Sequence, residues 1–213
     1  MAREPPVKEQ WLKDNQDNVR RYTELVRKHG NNVKSLGWGS QESQIRRFAI
    51  FAEIGNLKGR SVLDVGCGLG DLYGWLKKKG LDVRYTGIDV TPGMVELARQ
   101  RFPTVRFRGQ DLLDASLPLA RHDYVLSSGI FTHRSRIPFD FLTAAIQRMF
   151  VLSKHAVAFN CLSAWAKTKE PEEFHADPLK VLSFCRKLTP RVVLRHDYHP
   201  RDFTVYMYKT PRT

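Results

Sequence analysis

The stretch Val62-Leu63-Asp64-Val65-Gly66-Cys67-Gly68-Leu69-Gly70-Asp71-Leu72 decides the fold of this 213-residue chain. Val62 to Val65 reads as a short buried strand. Glycines at three alternate positions follow, and a helix starts near Asp71. Glycine accepts positive φ and lets a ligand approach the backbone closely. Asp89 stands 23 positions beyond Gly66, at the end of the next predicted strand. An acid at that interval accepts hydrogen bonds from a ribose diol. Together these features describe a pocket for a nucleotide-like cofactor.

Outward from that stretch, strands and helices alternate. Apolar runs predict strands at 61–66, 83–88, 104–108, 123–128, 155–160, 191–197 and 203–209. Helical spacing predicts helices at 71–79, 92–102, 139–152 and 177–187. Thr91-Pro92 reads as a capping hydroxyl before a first-turn proline. Such alternation implies an α/β, doubly wound, mostly parallel sheet covered on both faces. The last two strands lie too close together for a parallel crossover, so they form an antiparallel pair at one edge. Two further helices are expected at 8–30 and 41–54, the second with Ile45, Phe48, Ala49 and Phe51-Ala52 as its apolar stripe. Residues 1–58 are therefore an N-terminal helical cap on a catalytic domain at 59–213, within one structural domain.

Composition narrows the class. No apolar run is long enough for a membrane span. Met1 to Asn18 is polar and lacks a signal-peptide core, so a cytoplasmic protein is expected. Cys67, Cys161 and Cys185 have no metal-ligand spacing, and no metal is expected. Cys67 is either a small filler in the turn or a reactive thiol. The formal net charge is +13. The excess is spread along the chain, and the run Lys77-Lys78-Lys79 falls at a helix C-terminus, where cations suit the macrodipole. Nucleic acid is therefore a less favoured partner than a small molecule.

The glycine spacing selects the cofactor. A dinucleotide site uses G-x-G-x-x-G to seat a pyrophosphate on a helix N-terminus. Here the pattern is G-x-G-x-G, flanked by Asp64 and Asp71. Carboxylates repel a pyrophosphate and attract an ammonium or sulfonium. Asp64-x-Gly66-x-Gly68-x-Gly70 resembles the first motif of class I S-adenosylmethionine (SAM) dependent methyltransferases. Asp89, followed by Val90, matches that family's ribose-binding acid. Asp111, followed by Leu112, matches its acidic position beside adenine, with Asp114 as a nearby substitute. Ser128 matches the stretch beside the methionine part. The resemblance covers about residues 60–165 by motif. It implies SAM as cofactor, held also by Cys67, and a Rossmann-like sheet of seven strands with the last antiparallel.

The acceptor side is less defined. Ser127-Ser128-Gly129-Ile130-Phe131-Thr132-His133 departs from the Asn-Pro-Pro-Tyr pattern of amino-methyltransferases acting on nucleobases. Phe131, His133, Asn160 and Cys161 stand at strand ends facing the acceptor. His133 is either a general base or a loop histidine. Asn160 either orients an acceptor or the methionine carboxylate, or caps a loop. Residues 174–178 read as a loop and helix cap, and 196–199 as a polar hairpin near the substrate. Trp11, Tyr22 and Trp38 either close over the sulfonium or anchor their helices, and Trp38, between two glycines, is the one favoured for function. The expected reaction is methyl transfer to a small or medium-sized acceptor. Two alternatives stand beside it: cyclisation of SAM to azetidine-2-carboxylate and methylthioadenosine, and methylation of RNA or another nucleic acid.

Overall fold

A computed structural model of the protein describes residues 6–36, 40–114, 116, 118–133 and 135–211. Seven strands make a continuous sheet: β1 (Ser61–Val65), β2 (Arg84–Asp89), β3 (Arg106–Gly109), β4 (His122–Ser127), β5 (Ser153–Ser163), β7 (Val192–Arg195) and β8 (Asp202–Tyr208). Their spatial order is β3-β2-β1-β4-β5-β8-β7. The pairs from β3 through β5 are parallel. β8 runs antiparallel to both neighbours and so lies inside the sheet, between β5 and β7. An eighth strand, β6 (His175–Ala176), pairs with Leu162 and Ser163 of β5. Residues 174–178, read as a loop and helix cap, hold this short strand as well; the cap is Asp177, which accepts from the Leu179 N–H at 2.8 Å. A two-residue strand carries no period that a sequence can display.

Six α-helices accompany the sheet: α1 (Pro6–His29), α2 (Gln41–Ala52), α3 (Asp71–Lys78), α4 (Pro92–Arg101), α5 (Pro138–Leu152) and α6 (Pro178–Leu188). Alternate strand residues feed two cores. Leu63, Val65, Val157, Phe159, Phe203, Val205 and Met207 pack under α5 and α6, against Leu142, Ile146, Met149 and Val181. Val62, Leu126, Ala156, Ala158 and Tyr206 face the other way, against Phe48 and Phe51 of α2, Leu72 and Leu76 of α3, and Ala98 of α4. Burial on both faces explains why these strands read as apolar runs rather than alternating patterns. None of the described helices is long and apolar enough to cross a membrane.

Two local expectations are corrected. Thr91 precedes α4 but makes no side-chain cap bond; the Asp89 carboxylate takes the Thr91 N–H instead. In α2 the expected face holds at Phe48 and Phe51, which are buried, but not at Ile45 and Ala49. Ile45 is 41% exposed, whereas Gln44 and Arg47 are buried. Apolar spacing misplaces part of this face because two of its inward positions hold polar groups with partners. Arg47 makes an ion pair with buried Asp202, and Gln44 bonds Asp71.

Candidate active site

The order of the strands reverses direction beside β1, and the crevice outside its carboxyl end is the place where such sheets bind ligands. The backbone there is set by glycine. Gly66, Gly68 and Gly70 have φ of 73°, 51° and 77°. A Cβ on Gly66 would lie 2.2 Å from Ile130 Cγ2, and one on Gly68 would lie 2.4 Å from Leu36 Cδ2. The first two glycines line the pocket; Gly70 does not, and serves as the N-cap of α3 against Phe102 and Phe107.

Asp89 is buried at the end of β2. Its Oδ2 accepts from the Gly68 N–H at 2.9 Å and its Oδ1 from the Thr91 N–H at 2.8 Å. Burial raises its pKa, and the two backbone donors oppose the rise. Asp64 lines the same pocket, accepts a hydrogen bond from Tyr85, and is pushed up to about 7 by burial. Val90, Asp111, Leu112 and Ser128 also line it. Asp114, the proposed substitute for Asp111, accepts instead from Ser116. Asp71 is paired with Arg101 at 2.7 Å. The Cys67 thiol lines the pocket too, but burial and the neighbouring carboxylates hold its pKa well above the ordinary value. A thiol so held stays protonated, which argues against the reactive-thiol reading.

The opposite wall comes from α1. Trp11 Nε1 donates to Asp111 Oδ2 at 3.0 Å, and Asn15 Nδ2 donates to the same oxygen at 2.5 Å. The Trp11 ring stacks on Phe141, with centroids 4.3 Å apart. Tyr22 OH lies 2.9 Å from His133 Nε2. Arg136 of the facing segment fixes the helix through Asp14 at 2.6 Å and Asp17 at 3.0 Å. His133 is drawn down to about 4, first by burial and then by the charge of Arg21. Burial pushes Tyr22 up to about 12. The Nδ1 of His133 is buried without a hydrogen-bond partner.

Several expected acceptor residues lie elsewhere. Asn160 is not in the pocket wall; its Oδ1 accepts from the Gly129 N–H at 3.0 Å, and its Nδ2 reaches Asp202 at 3.4 Å. It acts on the 128–133 turn from behind, because it sits on β5 beneath that turn. Phe131 and Cys161 are buried in the core. The 196–199 hairpin is absorbed in its own contacts: His196 bonds Ser163 at 2.7 Å, Tyr198 bonds Thr204 at 2.8 Å, and His199 pairs with Asp202 at 3.0 Å. Trp38 lies outside the described residues. Asn15, Gln44, Ile130 and Phe141 line the pocket without having been singled out in the sequence. Asn15 has a legible signal: it lies one helical turn after Trp11, on the same face.

A family model described as a methyltransferase domain matches residues 62–154. The Mycobacterium tuberculosis protein Rv1506c, which carries the name of a methyltransferase, is 31% identical over 159 residues, covering 70% of this chain and 93% of the relative. The chain belongs to the class I SAM-dependent methyltransferases. Solved methyltransferases share the fold. The Synechocystis magnesium protoporphyrin IX methyltransferase with bound SAM aligns with a TM-score of 0.63 at 17% identity, covering 92% of this chain and 93% of that one. The Burkholderia thailandensis 1,6-didemethyltoxoflavin-N1-methyltransferase, with its acceptor and S-adenosylhomocysteine bound, aligns at 0.65 and 17% identity, covering 99% and 93%. These relatives lend no support to SAM cyclisation or to a nucleic-acid acceptor.

The pocket of this methyltransferase suits SAM on its own chemistry. Two left-handed glycines form a cradle that a Cβ would fill. Asp89 is fixed by backbone donors beside it. The Ser128 hydroxyl is buried in the pocket wall and has no hydrogen-bond partner among the described residues.

Proposed function

We propose that this enzyme methylates a small molecule, with Asp64, Gly66, Cys67, Gly68, Asp89, Val90, Asp111, Leu112 and Ser128 holding SAM. Gly70 supports the turn from the start of α3. SAM supplies a methyl group already activated on a sulfonium. The protein's task is then proximity, alignment and exclusion of water. Residues 1–58 serve as the cap on the 59–213 domain. The observation that carries this reading is the cover of the pocket by α1, through the bonds of Trp11 and Asn15 to Asp111. A helix tied down across the cofactor cleft leaves room for a compact acceptor rather than a polymer. The two solved methyltransferases described above, one named for a porphyrin and one for a toxoflavin precursor, support the same acceptor class. His133 takes the acceptor proton, and Asn160 is a positioning residue that holds Gly129.

Mass spectrometry tests the reading. The protein incubated with SAM alone is expected to leave it intact; methylthioadenosine formed without an acceptor would sink methyl transfer in favour of cyclisation. With a small-molecule extract, S-adenosylhomocysteine and a methylated compound are expected. Methylation of added RNA in place of the extract would overturn the small-molecule reading.

A further inference from the structure

Resting on that reading, we infer that the acceptor is a flat, uncharged aromatic bearing an acidic hydroxyl, held against Trp11 and Phe141 and deprotonated at His133. Charge comes first. The described pocket wall carries Asp64, Asp71, Asp89 and Asp111, and no lysine or arginine. The whole chain has 35 lysines and arginines against 22 acids, so this electronegative pocket runs against its composition. A carboxylate or phosphate acceptor would enter beside these acids with no lysine or arginine in the described wall to pair it, Arg21 near His133 lying outside that wall, and an unpaired buried charge is costly.

Shape comes second. Part of the wall is aromatic: Trp11 and Phe141 line it and stack on each other at an interplanar angle of 25°, and Tyr22 and His133, also in the lining, meet at 58°. Ile130 joins that wall and also abuts Gly66, so the aromatic surface borders the cofactor cradle. A planar ligand matches such a surface by offset stacking, a gain that an aliphatic chain of equal area does not make.

Proton handling comes third. His133 Nε2 lies 2.9 Å from the Tyr22 hydroxyl, and Nδ1 has no partner among the described residues; in the tautomer with its hydrogen on Nε2, Nδ1 carries a free lone pair. The acceptor O–H gives its proton to that nitrogen as its oxygen forms the new C–O bond. The methyl C–S bond breaks, and sulfur keeps the electron pair as the thioether of S-adenosylhomocysteine. The imidazolium then returns its proton to water. The groups facing His133 are Tyr22 and Arg21 of α1 and Glu173 of the adjoining segment. Burial and Arg21 outweigh Glu173, so the ring is neutral and able to accept a proton above about pH 4.

The test uses the full chain. SAM binding by calorimetry comes first; its absence would break the cofactor assignment rather than this inference. With S-adenosylhomocysteine bound, naphthols and hydroxyquinolines are expected to bind at least tenfold tighter than naphthoates or aliphatic alcohols of similar size. With SAM they are expected to yield methyl ethers. Binding of no hydroxyaromatic, or preference for the carboxylates or alcohols, overturns the inference while SAM binding leaves the family assignment standing. Phe141→Ala is expected to weaken naphthol binding about tenfold with SAM affinity unchanged. His133→Gln is expected to slow turnover about 100-fold, within the range for a general base. That loss should shrink as the hydroxyl of a still-neutral naphthol is made more acidic. The limb that His133→Gln removes from the pH profile should lie near pH 4; a limb near 6.5 removed by that variant would contradict the assignment of His133, whereas a limb near 7 that the variant keeps belongs to Asp64.

Discussion

The two faces of the pocket are built in different ways. The face proposed for the cofactor is largely backbone: two glycines in the left-handed region, and an aspartate clamped by two backbone N–H groups. The face proposed for the acceptor is side chains from distant segments: Trp11 and Tyr22 from α1, His133 from the turn after β4, and Phe141 from α5. A face made of backbone tolerates few substitutions and leaves a local signature. A face made of side chains can vary residue by residue, and its parts meet only after folding.

That contrast can be broken most sharply at Asp89. Asp89→Ala removes a charge-assisted acceptor from two backbone donors, each bond of that kind being worth roughly 1.5–3 kcal/mol. SAM affinity is expected to fall 100-fold or more by calorimetry; unchanged affinity would mean that the cofactor face is elsewhere. Gly68→Ala is next. A side chain at φ 51° costs about 1–2 kcal/mol, and its Cβ meets Leu36. SAM affinity should drop roughly tenfold. Gly80→Ala is the control, since φ there is 70° with nothing near the added atom. It should lower the unfolding midpoint without touching affinity.

Asn160→Ala sharpens the boundary between the faces. The half-buried Gly129 N–H loses its acceptor, at a cost toward the lower end of the roughly 1–3 kcal/mol of an unsatisfied buried donor. We expect kcat to fall about tenfold while SAM affinity holds; an equal loss in both would place Asn160 on the cofactor face. Asp14→Asn should have the smallest effect. Arg136 is half exposed, so its pairing is weakened by solvent. Faster amide exchange in α1 is expected, with acceptor KM changed only a few-fold.

The same contrast governs what could be read in the sequence. The alternation of strands and helices, and the place of Asp64 to Gly70 and Asp89 at strand ends, were legible because these residues lie within one strand–turn–strand unit, where spacing stands for geometry. Trp11 and Tyr22 were visible as aromatics outside the alternating core, yet nothing local tied Trp11 to Asp111, 100 residues away. Arg47 was hidden for a related reason. A hydrophobic stripe assumes an apolar interior, and its partner Asp202 lies 155 residues downstream. Asn160 sat on an apolar strand, where its position alone did not tell a pocket residue from one supporting a turn.

The placement of β8 bears on how the molecule assembles. The last strand in the chain is an inner strand of the sheet, bonded to β5 on one side and β7 on the other. β7 and β8 are neighbours in sequence, so their pairing closes a short loop at small entropic expense. Joining them to β5 spans some 40 residues and is the slower kind of contact. The natural order is therefore a hairpin that forms by itself and docks as a unit, carrying Phe203, Val205 and Met207 into the core in one step. Until it docks, β5 is a bare apolar edge, the kind of surface on which unfinished chains stick to one another. Protection of that edge, more than the chemistry of the pocket, would then set how well this enzyme survives its own folding.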